Sequence, residues 1–442
     1  MSGPLPLKDW EKMVEGNQEL KNKQTATGTK EADAVIPQPQ QQECLDQMQP
    51  QDLEKEYWYL KFLYEATHKK EFSLAPPNEA LIEVSSACNL SCTHCPQAFM
   101  IRDKSLIDPK LFEKIIKELA PFKPFIAFQL QGEPTSHSKL PDMMKMVKDN
   151  GLKNRLITNA TLLTKEKSRE LIKSGLEYVY FNMNGGDKKT YETVNVGGTF
   201  EKTVSNVLDF LEVKDELGAN HIRTRTSFVY ENQSRHSAKR YKKFFGAMPF
   251  DRVDLTKLFN FFGLNDEVEL TLGQLLKEGK KVVCEYPWRY MAVTSTGLVR
   301  ACIFDYDNDL IIGDTNTENI MDIWNGERMQ AFRRAHLTGD FSQVPGAERT
   351  CLRCSTPCYS ANIWPNDFAE EAERMFARGH VQSFTSSKED FQKKMKYLKS
   401  NRKQWMEDIL NDTLEEPSIL SEADKEKADT EFALVEKAHE KN

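Results

Sequence analysis

Three of the nine cysteines crowd into one short segment, SSACNLSCTHCPQ, where Cys88, Cys92 and Cys95 follow the pattern CxxxCxxC. Three thiolates on one loop suit three irons of a 4Fe–4S cube and leave the fourth iron without a protein ligand. Such an iron binds a small molecule and passes an electron into it. A structural zinc site is the rival reading, but it wants four ligands, and paired CxxC spacing is its commoner form. His94 is the only nearby fourth donor, and it directly precedes Cys95 in an awkward position. Cys284, Cys302, Cys351, Cys354 and Cys358 make a second group that closes on CLRCSTPC. A CxxC with two distant cysteines suits zinc or iron–sulfur chemistry alike. Cys44 stands alone.

The elements that must hold these residues are legible as a pattern. ALIEVS, FIAFQL, NRLITN, YVYFNM, IRTRTSFV and VDLTKL read as strands alternating with amphipathic helices between about residues 79 and 270. Asp108 with Pro109 opens one helix, and Gly151 and Gly175 close two others. Six strand–helix repeats imply parallel strands joined by right-handed crossovers. In barrel-like α/β folds the chemistry sits on loops leaving the C-terminal ends of strands, which is where the first cysteine group falls, directly after ALIEVSS. Residues 275–360 form a turn-rich segment with the second group. Trp288 and Trp324 within it read as packing residues. Residues 1–52 are polar and low in complexity and read as largely disordered. Leu53, Tyr57, Leu60 and Tyr64 predict a helix after them, and Phe391, Met395, Leu398, Trp405 and Ile409 predict a docked helix in the charged tail.

Composition excludes several classes. The chain has 442 residues, 39% hydrophobic and 29% charged, with a formal net charge of −7. That balance argues against a general nucleic-acid surface. No run of 18 or more apolar residues is present, so no membrane span is expected. The opening MSGPLPLKDWEKM lacks the charged and apolar regions of a secretory signal. The expectation is a cytoplasmic protein with reduced thiols rather than a disulfide framework.

At CNLSCTHCP the sequence resembles the radical S-adenosylmethionine (radical SAM) enzymes, and further motifs follow in family order over residues 80–260. Gly132, Glu133 and Pro134 resemble the second-strand motif that receives the methionine amino group. LITNATLL and YFNMNGGDKKTYETVNVGGTFEK resemble the third- and fourth-strand segments. The resemblance implies cofactor contacts from Gly132, Glu133, Thr158, Asn159 and Asn182. It places His94 where an aromatic residue usually lies near the adenine, although a local hydrogen-bonding role for this histidine stays open. Gln131 replaces the usual first glycine, and Asn182 and Asn184 replace the usual Ser and Asp.

Cys284 with Pro287 and Trp288, then Gly297-x4-Cys302, then IGDTNTENIMDIWNGERMQAFRRAHLTGD, resemble the C-terminal SPASM or shorter twitch extension of those enzymes. The implied ligands of one auxiliary 4Fe–4S cluster are Cys284, Cys302, Cys351 and Cys354, with Cys358 as an alternative; zinc stays open. The fold expected is α/β, a partial TIM-type (β/α)6 barrel with a small C-terminal iron–sulfur domain and helical or disordered extensions. Its expected segments are 1–78 (extension), 79–270 (core barrel), 271–360 (auxiliary cluster domain) and 361–442 (charged helical tail).

The resemblance implies reductive cleavage of S-adenosylmethionine by a catalytic 4Fe–4S cluster, giving a 5′-deoxyadenosyl radical that abstracts hydrogen. An auxiliary cluster suits a net two-electron oxidation. Three readings follow: a dehydrogenase-like oxidoreductase for a small polar molecule such as a sugar or aminocyclitol, a peptide-modifying maturase, or a non-enzymatic iron–sulfur or zinc scaffold. The expected partners are a small-molecule or peptide substrate and an electron donor such as a flavodoxin or ferredoxin, with neither nucleic acid nor membrane. Arg225, Tyr230 and Glu231 lie near later strand ends as proton acceptors, and nothing in the sequence selects among them, so the catalytic residues stay unknown.

Overall fold

A computed structural model describes residues 65, 69–73, 75–264, 271–280, 282–355 and 388–411. The expectations for residues 1–64 and for Cys44 and Cys358 lie outside them. Six strand–helix units run in chain order: β1 (Glu79–Ile82), α1 (Pro109–Leu119), β2 (Phe125–Phe128), α2 (Leu140–Asp149), β3 (Asn154–Thr158), α3 (Lys165–Lys173), β4 (Tyr178–Asn182), α4 (Lys188–Val194), α5 (Phe200–Glu216), β5 (Arg223–Tyr230), α6 (Ala238–Gly246) and β6 (Arg252–Lys257). There follow α7 (Leu272–Lys277), α8 (Tyr286–Arg289), β7 (Tyr290–Val293), β8 (Leu298–Arg300), β9 (Ile311–Asp314), α9 (Ile320–Trp324), α10 (Glu327–Thr338) and α11 (Lys388–Asn411).

Local chemistry sets the helix limits. The Asp108 carboxylate accepts from the backbone N–H groups of Lys110 and Leu111, and Pro109 supplies a first-turn residue whose missing N–H costs nothing. Phe112, Ile115, Ile116 and Leu119 then fall on one face of α1 and are fully buried against the sheet. Each contributes roughly 1.5–3 kcal/mol by leaving water. Gly151 and Gly175 follow α2 and α3 with φ of +70° and +100°, the left-handed stop that a side chain resists.

The strands form one open sheet in the order β6-β5-β4-β3-β2-β1-β7-β8-β9. All neighbours from β6 to β7 are parallel, and β7-β8-β9 are antiparallel. This is the unclosed α/β barrel expected. The same sheet continues beyond the sixth strand: β7 pairs with β1 in parallel, Glu79 opposite Tyr290 and Ile82 opposite Val293. The apolar run YMAV of β7 carries no mark of which strand it will meet, because pairing across about 200 residues is a tertiary choice.

Trp288 and Trp324 are buried, and their indole N–H groups donate to the carbonyls of Lys70 and Ala75 at 3.0 and 2.8 Å. Both hold the segment before β1 against the auxiliary region. Helix α11 buries Phe391, Met395, Leu398, Trp405 and Ile409, the stripe read from the sequence. Its Arg402 bridges Asp209 and Glu212 of α5, each at 2.7 Å. Among the described residues no helix is long and apolar enough to cross a membrane.

Candidate functional site

The C-terminal ends of the parallel strands gather the residues singled out above. Cys88, Cys92 and Cys95 lie on the loop after β1, all three as partly buried free thiols. The loop is pinned from outside: Ser91 N–H donates to Val196 O at 2.9 Å and Thr93 N–H to Val194 O at 3.0 Å, at the end of α4. Leu90 N–H donates to Cys88 Sγ at 3.4 Å, the Asn159 amide to the same sulfur at 3.7 Å, and Cys92 Sγ reaches Asn195 Oδ1 at 3.6 Å.

Burial pushes the Cys95 thiol up to about 11, and it raises Cys88 and Cys92 as well, with repulsion from Cys95 and Cys88 adding to the rise at Cys92. Such thiols are poor nucleophiles on their own. A positive metal centre supplies what they lack, since a metal-bound cysteine is deprotonated. Three clustered thiols raised by burial therefore fit a cluster better than covalent catalysis.

Glu133 follows β2 and is 2% exposed. Its Oε1 accepts from Thr135 N–H at 3.0 Å, Thr135 Oγ1 at 2.6 Å and Thr158 Oγ1 at 2.7 Å; its Oε2 accepts from Asn159 N–H at 2.8 Å. Burial raises its pKa and these donors oppose the rise. Oε1 is saturated, while Oε2 keeps capacity for another donor such as an ammonium group. Gly132, at φ +93°, has no room for a side chain: a Cβ would lie 2.1 Å from Ser85 O. The loop thereby lies directly on the strand-end segment that leads to Cys88.

Thr158 and Asn159, at the end of β3, both hold Glu133, so the Thr158 hydroxyl stands behind the carboxylate. Asn182 is exposed at the end of β4, where its Oδ1 accepts from Ser227 Oγ at 2.9 Å. Asn184 is buried and ties β4 to β5 through Val229 N–H at 2.9 Å, and donates to Asn195 Oδ1 at 3.0 Å. His94 Nδ1 lies 3.2 Å from Glu231 Oε1 and its Nε2 lies 3.5 Å from the Asn184 amide. Of the three acceptor residues named from sequence, Glu231 is tied to the cysteine loop through His94. Arg225 instead pairs with Asp254 and lies over the Tyr180 ring, and Tyr230 is buried in the core.

Gln131 has a partner that sequence reading missed. Its Oε1 accepts from Arg300 Nη1 at 2.7 Å, from β8 in the auxiliary region. Arg300 also lies 3.4 Å from Glu83, which Arg102 grips with both terminal nitrogens. Glu83, Gln131 and Arg300 are buried, and burial lowers the Arg300 pKa. A glycine at 131 would leave an Arg300 N–H without that acceptor. The signal available in the sequence was only an arginine two residues before Cys302.

Cys284, Cys302, Cys351 and Cys354 line a single pocket whose other walls include Phe262, Leu272, Tyr286, Phe304, Phe332 and His336. Burial raises all of these thiols for which a shift is resolved, and the neighbouring thiols raise them further. Burial also pushes the His336 imidazole down to about 3. Among the described residues no three His, Cys, Asp or Glu side chains close in as a group on a single metal ion. The four thiols stand around the pocket instead, a donor set that suits a 4Fe–4S cluster.

Residues 82–220 match the model of the radical SAM superfamily, and residues 284–355 match that of the SPASM iron–sulfur cluster-binding domain. These domains imply S-adenosylmethionine and 4Fe–4S clusters as cofactors. A tungsten-containing aldehyde ferredoxin oxidoreductase cofactor-modifying protein of Pyrococcus furiosus is 37% identical over 105 residues, which are 23% of this chain and 30% of that relative. The chain thus spans less than a third of that relative's length. The S-adenosyl-L-methionine-dependent 2-deoxy-scyllo-inosamine dehydrogenase of Niallia circulans is 24% identical over 280 residues, 62% of this chain and 91% of the relative. Among solved structures, BtrN in complex with AdoMet and 2-DOIA has 19% identity and a TM-score of 0.43, over 63% of this chain and 93% of that one.

Proposed function

The chain carries a radical SAM domain and a SPASM cluster-binding domain, and from that premise we propose that it is an oxidoreductase that removes two electrons from a small polar alcohol of the sugar or aminocyclitol class. The observation that carries this reading is the match over 91% of the length of an aminocyclitol dehydrogenase. The four-thiol pocket supports it, because one auxiliary cluster suits a two-electron oxidation. When bound, S-adenosylmethionine and the clusters supply one-electron chemistry and a hydrogen-abstracting radical.

The residues divide that work. Cys88, Cys92 and Cys95 hold the catalytic cluster, and Cys284, Cys302, Cys351 and Cys354 hold the auxiliary one. Glu133 Oε2 receives the methionine ammonium, held in place by Thr135, Thr158 and the Asn159 backbone. Gly132 lets that loop lie against the strand-end segment. His94 and Asn182 border the same cofactor space. Glu231, oriented by His94, accepts the substrate hydroxyl proton.

Anaerobic reconstitution tests the reading. The expected result is about eight irons per chain, reductive cleavage of S-adenosylmethionine, and one ketone formed per 5′-deoxyadenosine when sugar alcohols or aminocyclitols are supplied. Turnover of peptides alone would replace it with the maturase reading. Iron uptake without cleavage would replace it with the scaffold.

A further inference from the structure

Helix α10 carries one buried ring that the proposed reaction does not use. His336 is 3% exposed, and its ring stands edge-on to Phe332 and Phe341, each with its centroid 4.9 Å away. A phenylalanine would suit such a slot as well. The imidazole instead brings two nitrogens into hydrocarbon. Nδ1 is buried without a hydrogen-bond partner, and Nε2 lies 4.0 Å from Cys351 Sγ, on the wall of the four-thiol pocket. Leaving a buried polar atom unmet is costly. Packing alone gives no return for that cost, so the ring is better explained by what Nε2 faces.

A neutral imidazole has one N–H, on one nitrogen or the other. With the proton on Nδ1, a donor is stranded in an apolar wall and the Nε2 lone pair confronts sulfur lone pairs. With the proton on Nε2, the N–H points at sulfur and Nδ1 is left as a bare acceptor among aromatic rings. The second arrangement satisfies the stronger demand, that of a thiolate. We propose that His336 Nε2–H donates a hydrogen bond to the Cys351 thiolate and thereby raises the reduction potential of the auxiliary cluster. The inference rests on the reading that these four thiols hold a 4Fe–4S cluster. Reduction adds negative charge that spreads onto the ligand sulfurs, and an N–H aimed at one of them stabilises the reduced state more than the oxidised one. A higher potential makes the cluster a better acceptor of an electron leaving the substrate.

The test uses the full chain with Cys88, Cys92 and Cys95 changed to Ala, so that the auxiliary cluster alone is read by redox titration followed by electron paramagnetic resonance. His336→Phe fills the same slot without an N–H. The expected result is retention of about four irons with a reduced-to-oxidised ratio about tenfold lower at fixed potential, a negative shift of ~59 mV for one electron. His336→Gln, which keeps an N–H donor, is expected to recover most of that shift. Pulsed resonance on the reduced protein with His336 intact is expected to show weak nitrogen coupling of a hydrogen-bonded ring. An unchanged potential in iron-loaded His336→Phe overturns this inference alone, as does the strong coupling of a directly coordinated nitrogen. Zinc in the pocket of the protein with His336 intact overturns the cluster reading and this one with it.

Discussion

The loop after β1 and the pocket behind α8 and α10 use cysteine in opposite surroundings. Cys88, Cys92 and Cys95 are partly exposed and sit among the amides of Asn89, Asn159 and Asn195. Cys284, Cys351 and Cys354 are buried, and Cys302 joins them in a wall of aromatic and aliphatic side chains. On the reading proposed above, three thiols amid polar groups would leave a coordination position open to a polar ligand, and four thiols in an apolar wall would close the shell. Burial raises thiols in both places, so the difference lies in ligand number and company and not in thiol acidity.

The largest effect is expected from removing thiols. Cys88, Cys92 and Cys95 changed together to Ala abolish cleavage of S-adenosylmethionine and lower the iron content from about eight to about four per chain. Cys351 and Cys354 changed together abolish substrate oxidation while cleavage persists. Chromatography of 5′-deoxyadenosine reads both, and equal loss of cleavage in the two sets would erase the contrast. Glu231→Gln is next: oxidation falls by about 10²–10⁴-fold, as for loss of a general base, while cleavage continues. Parallel loss of both activities would move Glu231 from proton transfer to cofactor binding. Glu133→Gln removes a charged acceptor worth about 1.5–3 kcal/mol, so the Kd for S-adenosylmethionine rises roughly tenfold to a hundredfold. Calorimetry on the reconstituted protein checks it. Thr158→Val, acting only through Glu133, is expected to raise the same Kd about tenfold or less; an effect as large as that of Glu133→Gln would give its hydroxyl a direct contact.

Much of this was readable before any coordinates, and for identifiable reasons. The first four strands announced themselves because each is a short, largely apolar run, and signals such as Asp108 and Thr164 mark helix starts between them. Asp108 and Gly175 do in space what their types advertise. The cysteines were readable because ligand spacing on a short loop is local. Partnerships made across the chain were not. Gln131 meets Arg300 across 169 positions, and the demand of a buried guanidinium for an acceptor leaves no trace in the order of residues. His336 shares the buried face of α10 with Met329 and Phe332, and helical periodicity says nothing of an unpaired nitrogen. Asn184 replaces the usual Asp and spends its amide on β5 and Asn195, a structural use that a motif position does not disclose.

The single sheet running from β6 to β9 acts as a ruler. β1 delivers the three-thiol loop, β7 lies beside it, and β8 one place further on leads into Cys302. Adjacent strands are about 4.8 Å apart, so the places of β1 and β8 are set by a lattice that hydrogen bonds enforce, while β8 runs antiparallel to β7 and leads into Cys302 at the sheet end opposite the one where β1 releases its loop. Lengthening the helices on the barrel's outside, or the turns at its far end, leaves this graduation untouched. Loops can therefore diverge while the strands that lead into the two cysteine groups keep their places.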